Sequence, residues 1–149
     1  MNANSSKKFR NAMIDADWDI SLQMAREQVK EGAHVLDLCV DYVGRDGRDD
    51  MTEIVARIAT QAGLPLVLDS TEPQVLEAGL QHIGGKPILN SANLEEGEEP
   101  GKRFDRVMSL AREYGAAVIC MCIDEQGQAR TADRKLEIAR RIRDLAVER

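Results

Sequence analysis

Residues 34–41 read His-Val-Leu-Asp-Leu-Cys-Val-Asp. Side chains alternate across a strand, so residues i and i+2 share a face. Leu36, Leu38 and Val40 then form one apolar face, and Asp37, Cys39 and Asp41 line the other. The same pattern returns downstream. In Pro65–Asp69 (PLVLD), Val67 and Asp69 share a face. In Lys86–Asn90 (KPILN), Ile88 and Asn90 do. In the apolar run from Ala116 to Ile123, Cys120 and Cys122 continue onto Asp124. One face suits covering helices, and the other turns polar toward the carboxyl ends. An open doubly wound sheet needs apolar residues on both faces. The observed pattern is that of a (β/α) barrel, whose sites form at the carboxyl ends of its strands.

The segments between these strands read as helices. Asp17–Glu31 carries Ile20, Met24 and Val29 at helical spacing and stops at Gly32. GRDGRDD is a loop, and Asp50 with Glu53 resembles a capping box opening a helix over Met51–Gln61, ended by Gly63. Ser70-Thr71-Glu72-Pro73 offers a hydroxyl cap and a first-turn proline for a helix to about Ile83, before Gly84-Gly85. The stretch SANLEEGEEPG is a loop. Arg103–Tyr114 is a helix closed by Gly115, and Thr131 caps a last helix ending near Val147. This α-β-α-β-α-β-α-β-α alternation predicts parallel strands with right-handed crossovers. A complete barrel takes about 250 residues. Four strands in 149 residues make a half barrel, and NANSSKKF before the first helix reads as the exit loop of a preceding strand.

Composition narrows the function classes. Hydrophobic residues are 43% and aromatics only 3%, so the core is aliphatic. The formal net charge of −6 opposes nucleic acid as a default partner. No apolar run approaches the roughly 20 residues of a membrane span, and the first residues lack the apolar stretch of a signal peptide. Three cysteines without a secretion signal read as reduced thiols of a cytoplasmic protein.

Taken singly, the polar strand ends allow plain readings. Asp69 before Ser-Thr-Glu-Pro suits a helix cap, and Asn90 suits a turn. Asp37 and Asp41 suit either a ligand or nearby bases, while Asp124 and Glu125 suit loop shaping. Cys120 and Cys122 suit filling of the barrel interior, and Met13, Met24 and Met108 suit the core.

Together the motifs carry more. Asn2–Phe9 (NANSSKKF), VLDLCVD, LDSTEP, ILNSAN and DEQGQARTADRK follow one another in order. This series resembles the pterin-binding (folate) domain of cobalamin-dependent methionine synthases, over nearly the whole chain. LDSTEP and NSAN are shared more widely, with corrinoid methyltransferases that use methyltetrahydrofolate. The strand-end motifs fit dihydropteroate synthases less well.

The resemblance implies a partial (β/α)8 TIM barrel over residues 1–149, from the loop after the first barrel strand through the fifth helix. It implies 5-methyltetrahydrofolate as substrate, with cobalamin as methyl acceptor on another domain and no metal on this chain. The family's pterin-binding aspartate falls on Asp69 and its asparagine on Asn90. The folate-facing loop falls on Asn4, Ser5 and Ser6, and Asp37 stands near the ligand. The family more often has Gly where Ser5 stands, and often Asn where Cys39 stands. Its further pterin contacts come from later strands, so the expectation is recognition without turnover by this chain alone. A non-catalytic half-barrel module, self-associating through exposed sheet edges, is the alternative.

Overall fold

The computed structural model describes residues 1–148, which fall into two compact units, Met1–Ile88 and Leu89 onward. In the first unit come α1 (Lys7–Ile14), α2 (Trp18–Lys30), β1 (Leu36–Cys39), α3 (Gly47–Gln61), β2 (Leu66–Asp69) and α4 (Pro73–Leu80). The second carries nearly all of β3 (Ile88–Ala92), then α5 (Arg103–Tyr114) and β4 (Ala117–Cys120). A short hairpin of β5 (Ile123–Asp124) and β6 (Gly127–Gln128) follows, and α6 (Ala132–Glu148) closes the chain. Strands β1 and β2 are parallel neighbours, and the alternation of strands and helices through both units is the α/β arrangement of a partial TIM barrel.

Within the first unit, β1 and β2 pair in parallel with Leu36 beside Leu66, Leu38 beside Leu68 and Cys39 beside Asp69. Leu36, Leu38, Val40 and Leu68 are fully buried, as the alternation predicts. Helices α3 and α4 supply buried Met51, Ile54, Val55, Ile58, Leu76 and Leu80. Helix α4 lies so close to β2 that a Cβ on Gly79 would stand 2.8 Å from a Leu68 methyl. Only a glycine permits that approach without repacking. Each fully buried Leu, Ile or Phe contributes on the order of 1.5–3 kcal/mol.

Several local expectations are corrected. Residues Lys7–Phe9, read as part of a loop, open α1 (Lys7–Ile14). Ser6 caps it by accepting the Phe9 N–H at 3.3 Å, and Phe9, Ala12 and Met13 bury its face. Residues 1–3 also pair with β1. The Cys39 N–H donates to the Met1 carbonyl at 3.0 Å, and the Ala3 N–H donates to the Cys39 carbonyl at 2.9 Å. In α2 the buried stripe is Ser21, Leu22 and Ala25, not the Ile20, Met24 and Val29 row; Ile20 is exposed. Helix α3 starts a turn earlier than Asp50, with Asp46 accepting the Arg48 N–H at 2.9 Å. Asp50 is instead buried and held by Arg45 through two bonds of 2.6 Å.

In the second unit Leu89, Ala92, Leu94, Phe104, Val107, Ile138 and Ile142 are buried. Gly115 closes α5 at φ 65°, a left-handed residue that glycine adopts without a side-chain clash. The loop read as DEQGQAR contains the β5–β6 hairpin, whose partners are Ile123 with Gln128 and Asp124 with Gly127. Cys120 is exposed rather than interior. Thr131 accepts the Arg134 N–H at 3.3 Å, the expected cap of α6. No helix of the described residues is long and apolar enough to cross a membrane.

Candidate functional site

The carboxyl ends of β1 and β2 form the polar rim of the first unit. Cys39 sits in its middle, flanked by the bridge from Asn2 on one side and by Asp69 on the other. A cleft of about 670 Å³ opens there, lined among others by Asn2, Asn4, Cys39, Asp41, Asp69 and Thr71. Two sequence-predicted residues, Asn4 and Asp69, therefore meet in one cleft. Among the described residues, Ser5, Ser6 and Asp37 do not line it. Ser6 is engaged as the α1 cap, and Asp37 is half-buried on β1. Asn90 is half-exposed on β3 in the second unit, where the Asn90–Ser91 peptide is cis.

Two further residues, Asn2 and Asp41, build this rim in roles that local spacing in the sequence does not give. Asn2 folds the loop that carries Asn4. Its side-chain oxygen accepts the N–H groups of Asn4 at 2.9 Å and Ser5 at 3.2 Å, an Asx turn. Asp41 does the equivalent for the loop after β2. It accepts the Ser70 hydroxyl at 2.7 Å, the Thr71 N–H at 2.8 Å and the Thr71 hydroxyl at 3.2 Å. Ser70 is buried, and its oxygen in turn accepts the Glu72 N–H at 3.1 Å. The N-cap of α4 is Glu72, without a side-chain cap bond. Asp69 is thus the last residue of β2 and not the helix cap. Ser5, where glycine is common in the family it resembles, does not have positive φ, so its backbone makes no conformational demand for glycine.

The rim gathers carboxylates around Cys39, with the Met1 ammonium beside them. Burial pushes the Cys39 thiol up to about 11, and the carboxylates of Asp69, Asp41 and Asp37 push the same way, against a hydrogen bond with the Asp41 backbone. Burial also raises Asp37 above its ordinary value. Cys39 is therefore a neutral thiol at pH 7 and not a nucleophile. Such a rim favours a ligand edge rich in N–H donors.

The acids of the second unit stand differently. Asp124 is buried beneath Arg134 and accepts the Gln126 N–H at 3.1 Å. Glu125 takes both arms of Arg141, at 2.9 and 2.8 Å. That guanidinium holds the Glu125 carboxyl down at about 2. These acids shape the hairpin. An open groove of about 680 Å³ in this unit runs along helix surface lined by Asp105, Met108, Ser109, Arg112, Glu113 and Glu148. Among the described residues, no group of three or more His, Cys, Asp or Glu side chains is placed to hold a metal ion.

The family described as pterin binding enzyme matches residues 1–149. The chain belongs to the pterin-binding enzyme family. It is 55% identical over 141 residues to methionine synthase of Mycobacterium tuberculosis and 54% identical over 141 residues to that of Mycobacterium leprae. Each match covers 95% of this chain and 12% of the relative, so the chain spans a small part of the curated relatives' length. The pterin-binding family is a TIM-barrel family, in agreement with the parallel strands and flanking helices described above.

Proposed function

We propose that this pterin-binding chain holds the pterin of 5-methyltetrahydrofolate at the β1–β2 rim, as the folate part of a methionine-synthase-like methyltransferase. The observation that carries the reading is the cleft joining Asn4 to Asp69, with Asn2, Asp41 and Thr71 around them. A pterin edge presents a ring N–H beside an exocyclic amine. A carboxylate such as Asp69 accepts both as a bidentate pair. Asn90, an amide, donates to one ring atom and accepts from another, and the loop of Asn4, Ser5 and Ser6 meets the folate through Asn4, its residue on the cleft. Methyl departure from N5 calls for protonation there, and the remaining catalysis is positioning against the acceptor.

The same reading makes residues 1–149 a partial pterin-binding domain working in the cytoplasm beside a cobalamin-carrying domain or protein. Its β4 leaves Ile119 43% exposed, which supports a covering partner or a second copy. Turnover belongs to the larger assembly and not to this chain alone. Calorimetric titration with 5-methyltetrahydrofolate tests the reading. Saturable binding lost in Asp69→Ala is expected, and wild-type chain that takes up no ligand at millimolar concentration contradicts it.

A further inference from the structure

We infer that Asp41 is a positioning residue for the pterin site, acting through Ser70 and Thr71 on Asp69; the inference rests on the pterin reading above. The geometry is a two-strand tether. Asp41 lies two residues beyond Cys39, and Cys39 pairs with Asp69 in the β1–β2 register. One Asp41 oxygen accepts the Ser70 hydroxyl, and the other accepts the Thr71 N–H and hydroxyl. These are the two residues immediately after Asp69, so the tether fixes the direction in which the chain leaves β2. A carboxylate that is to meet two ligand donors at once needs that direction held to within a fraction of an ångström.

The partners are the right kind for a fixed element. All three donors are neutral, and charge-assisted bonds to a carboxylate are stronger than neutral ones. Ser70 is buried and passes the constraint on by accepting the Glu72 N–H at the start of α4. The long-chain cations nearest in sequence are engaged elsewhere, Arg45 on Asp50 and Arg10 against the Ala3 carbonyl and the Tyr42 ring. Asp41 thus joins two strand-exit loops rather than a loop and a flexible cation.

Asp41 itself borders the cleft, so the test separates an indirect role from direct contact. Three variants of the whole chain, Asp41→Asn, Ser70→Ala and Thr71→Val, are titrated with 5-methyltetrahydrofolate, with thermal unfolding and amide hydrogen exchange followed in parallel. Loss of bonds to a charged acceptor predicts an affinity about ten-fold weaker for Asp41→Asn and about three-fold weaker for Ser70→Ala. Exchange at the Thr71 and Glu72 amides accelerates, while the β1 and β2 amides keep their protection.

Unchanged affinity in Asp41→Asn with faster Thr71 exchange makes the tether merely structural and overturns the inference. Weakened binding in Asp41→Asn with unchanged binding in Ser70→Ala makes Asp41 a direct ligand contact and overturns it as well. If Asp41→Asn does not fold, Ser70→Ala and Thr71→Val decide, since both keep the carboxylate. Absence of binding by the wild-type chain is a separate failure, that of the pterin reading, and the inference falls with it.

Discussion

The acids at the strand ends of the two units are put to opposite uses. In the first unit Asp41 accepts only hydroxyl and amide donors, and Cys39 sits in the summed field of Asp37, Asp41 and Asp69. In the second, Asp124 and Glu125 are neutralised by Arg134 and Arg141. Sequence position at a strand end is therefore not a mark of a site. What separates the two cases is the partner: a guanidinium satisfies a carboxylate and closes the hairpin, whereas hydroxyl and amide donors tie Asp41 to the loop after β2.

The comparison can be broken at several levels. Phe9 in the first unit and Phe104 in the second are both fully buried. Phe9→Ala and Phe104→Ala are each expected to cost about 3–5 kcal/mol in urea unfolding. If the units unfold separately, each variant shifts one transition and leaves the other.

The next effect concerns an arginine of the first unit placed like Arg134 of the second. Arg45 grips the buried Asp50. Arg45→Met leaves that carboxylate without its charge partner, and a loss of about 2 kcal/mol is expected at pH 7.

A smaller effect tests the second unit. Glu125 is depressed to about 2 from its ordinary 4.5. A depressed native value means that the unfolded chain binds the proton first. The stabilisation is present above pH 4.5 and is lost as pH falls toward 2. Glu125→Gln should flatten this part of the stability profile and leave folate affinity at pH 7 unchanged. Because the pair is largely exposed, the effect is modest and fades with salt.

The smallest readout is chemical. Cys39 is buried and raised to about 11; the Cys120 thiol is also raised, but the residue is exposed. Iodoacetamide at pH 8 should label Cys120 well before Cys39. A raised thiol value works in the other direction from Glu125: its contribution to stability is lost as pH rises from about 9 toward 11. Rapid labelling of Cys39 in the folded chain would show that its thiol is neither buried nor set among carboxylates as described.

Much of this arrangement was legible in the sequence. Strict alternation placed Leu36, Leu38 and Val40 against the helices, and glycines 32, 63 and 115 marked helix ends at positive φ. Helix α1 was missed although its signals stand in the sequence: Ser6 as a cap, and Phe9, Ala12 and Met13 at helical spacing. They were outweighed by the polar run in front of them. The α2 face was misjudged because small residues, Ser21 and Ala25, take the buried stripe while larger ones face out. Two-residue strands such as β5 and β6 carry too little pattern to be read.

The site divides in the same way. Asp69 and Asn4 follow from motif and strand end. The roles of Asp41 and Asn2 do not, for different reasons. Asp41 reaches partners 29 and 30 positions away, a contact that no local spacing encodes. Asn2 makes a local turn with Asn4 and Ser5, but its oxygen was one of several polar groups in NANSS.

The most direct test is a side-by-side titration of the wild-type chain, Asp69→Ala and Glu125→Ala with 5-methyltetrahydrofolate. The account predicts saturable binding by the wild type, unchanged binding by Glu125→Ala and loss of binding, by about a hundred-fold or more, in Asp69→Ala with its fold intact. Equal binding by all three chains would contradict it.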